Sequence, residues 1–186
     1  MIQSPIKNIM NIADIPSLTY VGQGLCLSWD AIDDTLTRWK KSYGIDLDPE
    51  FQRGHVWDMD TKIKFIEFML KGGQVQPLRF NSPVFGGENH AKHSDLPETV
   101  VLVDGKQRLT TILDFMANKI PVFGGTYLSD FDKPNLLLMR TDITYNVNKL
   151  QTKKELYQWY LEMNEGQVAH SKDELQKVRK LLELNS

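Results

Sequence analysis

The stretch Val100-Val101-Leu102-Val103-Asp104-Gly105-Lys106-Gln107-Arg108-Leu109-Thr110-Thr111 changes its hydrophobic period within a few residues. A compact β-branched run ends at Asp104-Gly105, and from Leu109 the apolar residues Ile112, Leu113 and Met116 recur at helical spacing. The segment reads as strand, tight turn, helix. Gly105 can take positive φ, and the helix behind it points its free amides back at the turn. Those amides and the helix dipole favour an anion such as phosphate, with Lys106 and Arg108 adding two cations, one of them a planar fork. Asp104 opposes a phosphate unless it caps the amides, pairs with a neighbouring Arg, bonds a sugar hydroxyl or holds a divalent cation. A plainer reading stays open: Asp104 caps, Gly105 turns, and the cations are solvated.

Upstream, Ser28 precedes Ile32, Leu36 and Trp39 at i, i+4 and i+7, with Gly44 beyond, which predicts a capped amphipathic helix. Ile45 to Phe51 contains Pro49 and reads as an extended or edge piece leading to a turn at Gly54. Asp58 is placed to cap a helix from Thr61 to Leu70, whose wide apolar surface of Ile63, Phe65, Ile66, Phe68, Met69 and Leu70 predicts extensive burial before Gly72-Gly73 stops it. Leu78 to Phe80 reads as a short strand and Asn81 to Thr99 as a surface loop. Downstream, Ile120 to Phe123 and Ile143 to Val147 read as strands, while Phe131 to Arg140 is ambiguous. Thr152 with Glu155, and Ser171 with Glu174, are capping-box spacings that open two final helices, with Leu156, Trp159, Tyr160 and Met163 along one stripe and Leu175, Val178 and Leu182 along the other. The fold class expected is α+β: a small irregular sheet, surrounding helices and a C-terminal helical pair.

The 186 residues suit a single domain, here 1–186, with 1–27 as an N-terminal extension and 150–186 as the closing helices. Hydrophobic residues at 41% and charged residues at 25% disfavour disordered, collagen-like and coiled-coil classes. Lys plus Arg number 22 against 24 Asp plus Glu, so no bulk positive field exists to hold nucleic acid non-specifically. The single Cys26 excludes an internal disulfide and fits a reducing cytoplasm. No stretch approaches the roughly 20 apolar residues of a membrane span.

A second cluster, Asp48-Pro49-Glu50-Phe51-Gln52-Arg53-Gly54-His55-Val56-Trp57, gathers an Arg, a Gln, a His and aromatics around a turn. Arg53 is either a second phosphate fork or a structural salt bridge, with Asp104 as one partner; Trp57 anchors the next helix. The order of Phe51-Gln52-Arg53, Trp57, then the strand and Asp104 to Thr111 resembles a large bacterial and phage family of domains with an Asp-Gly-Gln-Gln-Arg motif. That family forms the N-terminal part of GmrSD-type modification-dependent restriction enzymes and related anti-phage proteins. Tyr160 to Gly166, followed by the helix start at Ser171 to Leu175, resembles the family's later Asn-x-Gly segment. The likeness runs from about Ser28 to about Leu182.

The resemblance implies a ParB/sulfiredoxin-like core whose motif turn is associated with nucleotide binding and, in several relatives, nucleoside triphosphate hydrolysis. It carries over to Gln52, Arg53, Asp104, Gly105, Gln107 and Arg108, with Asn164 and Gly166 in a supporting role. Lys106 departs from the family's Gln and adds a cation at the helix start. The division of labour expected is that Gly105 and the amides cradle phosphate, with Gln52 beside them, while Arg53, Lys106 and Arg108 supply charge. Asp104 would orient a water or metal ion, and Gln107 would hydrogen-bond the nucleotide or the attacking water. The ligand expected is a nucleoside triphosphate of open base identity, with Mg2+ as its companion ion. Full-length relatives continue into a His-Asn-His nuclease module, which these 186 residues lack. The expected partners are therefore a nucleotide and, in the alternative, DNA met by the same turn or a separate nuclease subunit; no membrane is expected. His90 and His93 have a spacing metals use, but no third ligand is placed by a motif and Lys92 opposes a cation. Lysines at 149–154 and basic residues at 172–180 read as solvated helix faces.

Overall fold

A computed structural model describes residues 24–51, 57–86, 94–165 and 172–185. The quoted stretch sits at its centre. Val100–Asp104 is a strand, Gly105 the turn, and Lys106–Met116 a helix. In chain order the elements are β1 (Leu25–Ser28), α1 (Ile32–Ser42), β2 (Ile45–Asp46), α2 (Met59–Leu70), β3 (Leu78–Asn81), β4 (Val100–Asp104), α3 (Lys106–Met116), α4 (Pro134–Met139), β5 (Asp142–Asn148), α5 (Lys153–Glu165) and α6 (Lys172–Leu184). The strands form one mixed sheet of order β1-β5-β3-β4-β2. β5 runs antiparallel to β1 and parallel to β3, while β4 runs antiparallel to β3 and parallel to β2.

The apolar run of β4 is explained by burial on both faces. Val100 and Leu102 enter a cluster with Trp29, Ile32, Trp39, Ile66, Phe80, Leu109, Ile112 and Phe115. Val101 and Val103 enter a second cluster with Phe51, Leu156, Trp159, Tyr160 and Val178. Helices α1, α2 and α3 therefore cover one face and the α5–α6 pair the other, each fully buried aliphatic side chain contributing roughly 1.5–3 kcal/mol. The ladder shifts register between Arg79 and Phe80, so that Arg79 opposes Asp104 while Phe80 opposes Leu102. The extra residue on β4 is a bulge, which re-aims the end of the strand beside the turn.

Several local expectations hold for their stated reasons. The Asp58 carboxylate accepts from the Thr61 amide at 2.8 Å and starts α2. Glu155 accepts from the Thr152 amide at 3.0 Å while the Glu155 amide donates to Thr152 Oγ1 at 3.2 Å, closing the capping box of α5. Ser171 and the side chains of Glu174 and Leu175 lie outside the described residues.

Two expectations are corrected. Ile120 to Phe123 is not a strand: Val122 makes a single bridge to Thr126, and the chain reverses through Phe123, Gly124 and Gly125, all at positive φ. The apolar pattern arose because Ile120 and Val122 plug the larger core from a turn. Ser28 does not cap α1. It ends β1, and a 3-10 turn at Trp29–Ala31 intervenes, without a side-chain cap. That turn buries the Trp29 indole edge-on against Phe115 at 6.1 Å, while the Trp29 amide donates to the Thr141 carbonyl at 2.9 Å. The ambiguous Phe131 to Arg140 stretch resolves as α4, opened by Pro134. Phe68 departs from the buried surface of α2 and is half exposed, its ring standing against Gly73.

Candidate phosphate-binding turn

Gly105 is the N-cap of α3 at φ +102 and supplies no side-chain cap. A Cβ built there would stand 2.6 Å from Leu78 Cδ2 and 3.4 Å from Leu78 Cα, so β3 abuts the turn and only glycine fits. The Leu109 amide donates to the Gly105 carbonyl at 2.9 Å as the first helical hydrogen bond. The amides of Lys106, Gln107 and Arg108 thus precede that bond and have no acceptor within the helix. They form the electropositive end of an eleven-residue helix that is separated from the end of β4 by Gly105 alone.

Around these amides the cations are largely answered from within the chain. Arg108 Nη2 donates to the Asp104 carboxylate at 2.7 Å, one helical turn back. Arg108 Nη1 donates to the carbonyls of Gln76 and Pro77, the latter at 3.3 Å. The fork therefore staples the approach to β3 onto the turn. Of the four readings open for Asp104, the structure selects pairing with a neighbouring Arg, and that Arg is Arg108. Lys106 is likewise paired with Asp48, whose own side chain is largely exposed. Thr110 and Thr111 return their hydroxyls to the carbonyls of Lys106 and Gln107 at 2.8 and 2.6 Å, tightening the first turn. Gln107 Oε1 is buried and has no hydrogen-bond partner.

Arg79 is the residue that sequence reading missed. It opposes Asp104 in the β3–β4 ladder, and its Nε is buried without an acceptor. Burial pushes its guanidinium below the ordinary value; Asp104 opposes that fall and Arg108 adds to it. Arginine remains protonated regardless. Two guanidinium groups thus share one carboxylate, leaving this group of three with a surplus positive charge. A charged residue between Leu78 and Phe80, both buried core positions, was the available signal.

The structure therefore gathers Asp104, Gly105, Lys106, Gln107 and Arg108 at one place and adds Asp48 and Arg79. Gln52, Arg53, Gly54, Gly166, His90 and His93 lie outside the described residues, as does the side chain of Asn164. Trp57 packs on Phe65 at 5.2 Å, the anchoring role its position predicts. Cys26 is exposed on β1. Among the described residues no group of three or more His, Cys, Asp or Glu could hold a metal ion. Asp104 is paired with Arg108 and Asp48 with Lys106. Among the described residues no helix is long and apolar enough to cross a membrane.

Comparison with curated proteins and with solved structures gives no significant match. A family model described as the GmrSD restriction endonuclease N-terminal domain matches residues 35–184, which takes in α2, the motif turn, the whole of β3 to β5 and both closing helices. With most of its length matched, the chain belongs to the GmrSD restriction endonuclease N-terminal domain family.

Proposed function

We propose that this domain binds a nucleoside triphosphate at the Gly105 turn and hydrolyses it slowly, as a working part of a restriction or anti-phage system. The family supplies the system. The observation that carries the nucleotide reading is the start of α3, where the amides of Lys106, Gln107 and Arg108 precede the first helical hydrogen bond behind a glycine at φ +102 that supplies no side-chain cap. A triphosphate seated there would receive backbone hydrogen bonds, the favourable end of the helix dipole, and the Lys106 ammonium once it swings from Asp48. Arg108, held by Asp104 and two carbonyls, would shape the site and contribute its charge from the side. Gln107 Oε1, a buried acceptor with no partner, is suited to accept a hydrogen bond from an attacking water and so orient it. Asp104 would help to orient that water. Any Mg2+ would arrive on the phosphates.

The test is a thermal-shift and calorimetric screen of the full chain against the four common NTPs, with and without Mg2+. A ligand that binds only the folded form raises the melting temperature. Lys106→Ala is expected to weaken the bound NTP by about tenfold, the size of one charge-assisted hydrogen bond. No heat and no melting shift with any NTP would remove the reading.

A further inference from the structure

Most polar groups near the turn find partners inside the chain. Arg108 has Asp104 and two carbonyls, Lys106 has Asp48, and Asn81 exchanges two hydrogen bonds with the Leu150 backbone at 2.9 and 3.2 Å. Arg79 and Asn146 differ. They are direct partners in the parallel β3–β5 register, so their side chains leave the same face of the sheet. Arg79 Nε is buried and has no acceptor, and Asn146 Oδ1 is buried and has no donor. Asn146 is only 7% exposed, with Gly24 close enough that a Cβ there would stand 3.1 Å from its Oδ1.

A guanidinium N–H taken out of water without an acceptor costs more than a satisfied one, and so does a buried amide oxygen without a donor. The two unmet groups are of opposite sense and belong to register partners on β3 and β5. Asp104 Oδ2 accepts from Arg108 Nη2 at 2.7 Å, while Arg79 Nε is left without an acceptor. Arg79 opposes Asp104 in the β3–β4 ladder and feels the charge of both Asp104 and Arg108, which puts the Arg79 end of this pair at the motif turn.

Building on the nucleotide reading, we propose that Arg79 and Asn146 hold the sugar–phosphate part of the ligand, Arg79 donating to a phosphate oxygen and Asn146 Oδ1 accepting from a ribose hydroxyl. The guanidinium requires an acceptor and carries surplus charge, which an oxyanion answers. The amide oxygen requires a donor. A phosphate oxygen would repel it, whereas the hydroxyl group lying next to phosphate in a nucleotide satisfies it.

The test compares titrations of the full chain with each of the four NTPs and with inorganic tripolyphosphate, for the wild type and for Arg79→Gln, Arg79→Lys and Asn146→Ala, with folding checked by circular dichroism. Arg79→Gln should weaken both kinds of ligand by about thirtyfold and Arg79→Lys by about tenfold. Asn146→Ala should weaken the NTP by about fivefold and leave tripolyphosphate unchanged. Should Arg79→Gln not fold, the Arg79 Nε–H resonance of the wild-type chain supplies the answer: it should shift on adding tripolyphosphate. A stationary resonance, or an NTP affinity untouched by a folded Arg79→Gln, overturns the Arg79 assignment while nucleotide binding stands. Binding of tripolyphosphate through Arg79 without any NTP binding overturns the hydroxyl contact and the nucleotide reading, and retains the anion site. Binding of neither ligand overturns both.

Discussion

Gly105→Ala probes whether the turn is built around the absence of a side chain. Two costs can be worked from the structure. The first is conformational: the native φ of +102 is a region that an L-residue with a Cβ enters at about 1–2 kcal/mol. The second is steric, because the new Cβ meets Leu78 Cδ2 at 2.6 Å, Arg108 Nη2 at 3.3 Å and Leu78 Cα at 3.4 Å. Leu78 is 2% exposed and held in the core, so it has little room to yield, and overpacking of this kind costs about 1–3 kcal/mol. The sum is about 2–5 kcal/mol. Gly72→Ala is the control, since Gly72 has φ +86 with nothing within 4 Å of its Cβ position, and should show only the conformational part, about 1–2 kcal/mol. Urea unfolding of both variants followed by circular dichroism measures the difference. Equal losses in the two variants would refute the claim that β3 presses against the turn.

Asp104→Asn should destabilise the domain by about 1–2 kcal/mol, because Arg108 keeps its carbonyls but loses its only carboxylate partner among the described residues; a double-mutant cycle with Arg108→Gln should return a coupling of about the same size. Asp114 is the clearest source of pH dependence: burial raises its pKa, but hydrogen bonds and charge from Lys62 and Lys119 outweigh that and hold it below the ordinary carboxylate value. Because the folded state depresses this pKa, the stabilisation is complete above the unfolded value of about 3.9 and is lost as pH falls from there through the folded value. The stability gap between wild type and Asp114→Asn, about 1 kcal/mol at neutral pH, should therefore close in titrations below about pH 4. Thr152→Ala removes the hydroxyl half of the α5 capping box and should cost about 1 kcal/mol, read from the denaturation midpoint.

The motif turn, the Asp58 cap, the α5 capping box and the strand at β5 were legible because each is fixed by residues within one or two turns of chain. The β1–α1 junction was not, because the burial of Trp29 against Phe115 is a contact between distant segments that overrides local capping by Ser28. The same holds for Ile120 and Val122, whose apolar spacing fits a strand and a core plug equally well until the core exists to receive them.

At the candidate site the division is sharper. Sequence alone determined that a glycine turn opens a helix whose free amides suit an anion, and that cations flank it. Only tertiary structure decided which of those cations are free to act. Arg108 is consumed by Asp104 and by carbonyls more than thirty residues upstream, Lys106 by Asp48 fifty-eight residues away, and Arg79 arrives from a neighbouring strand with no partner for its Nε. Charge is a property of a residue, but its availability depends on which distant partner the folded sheet brings within hydrogen-bonding reach.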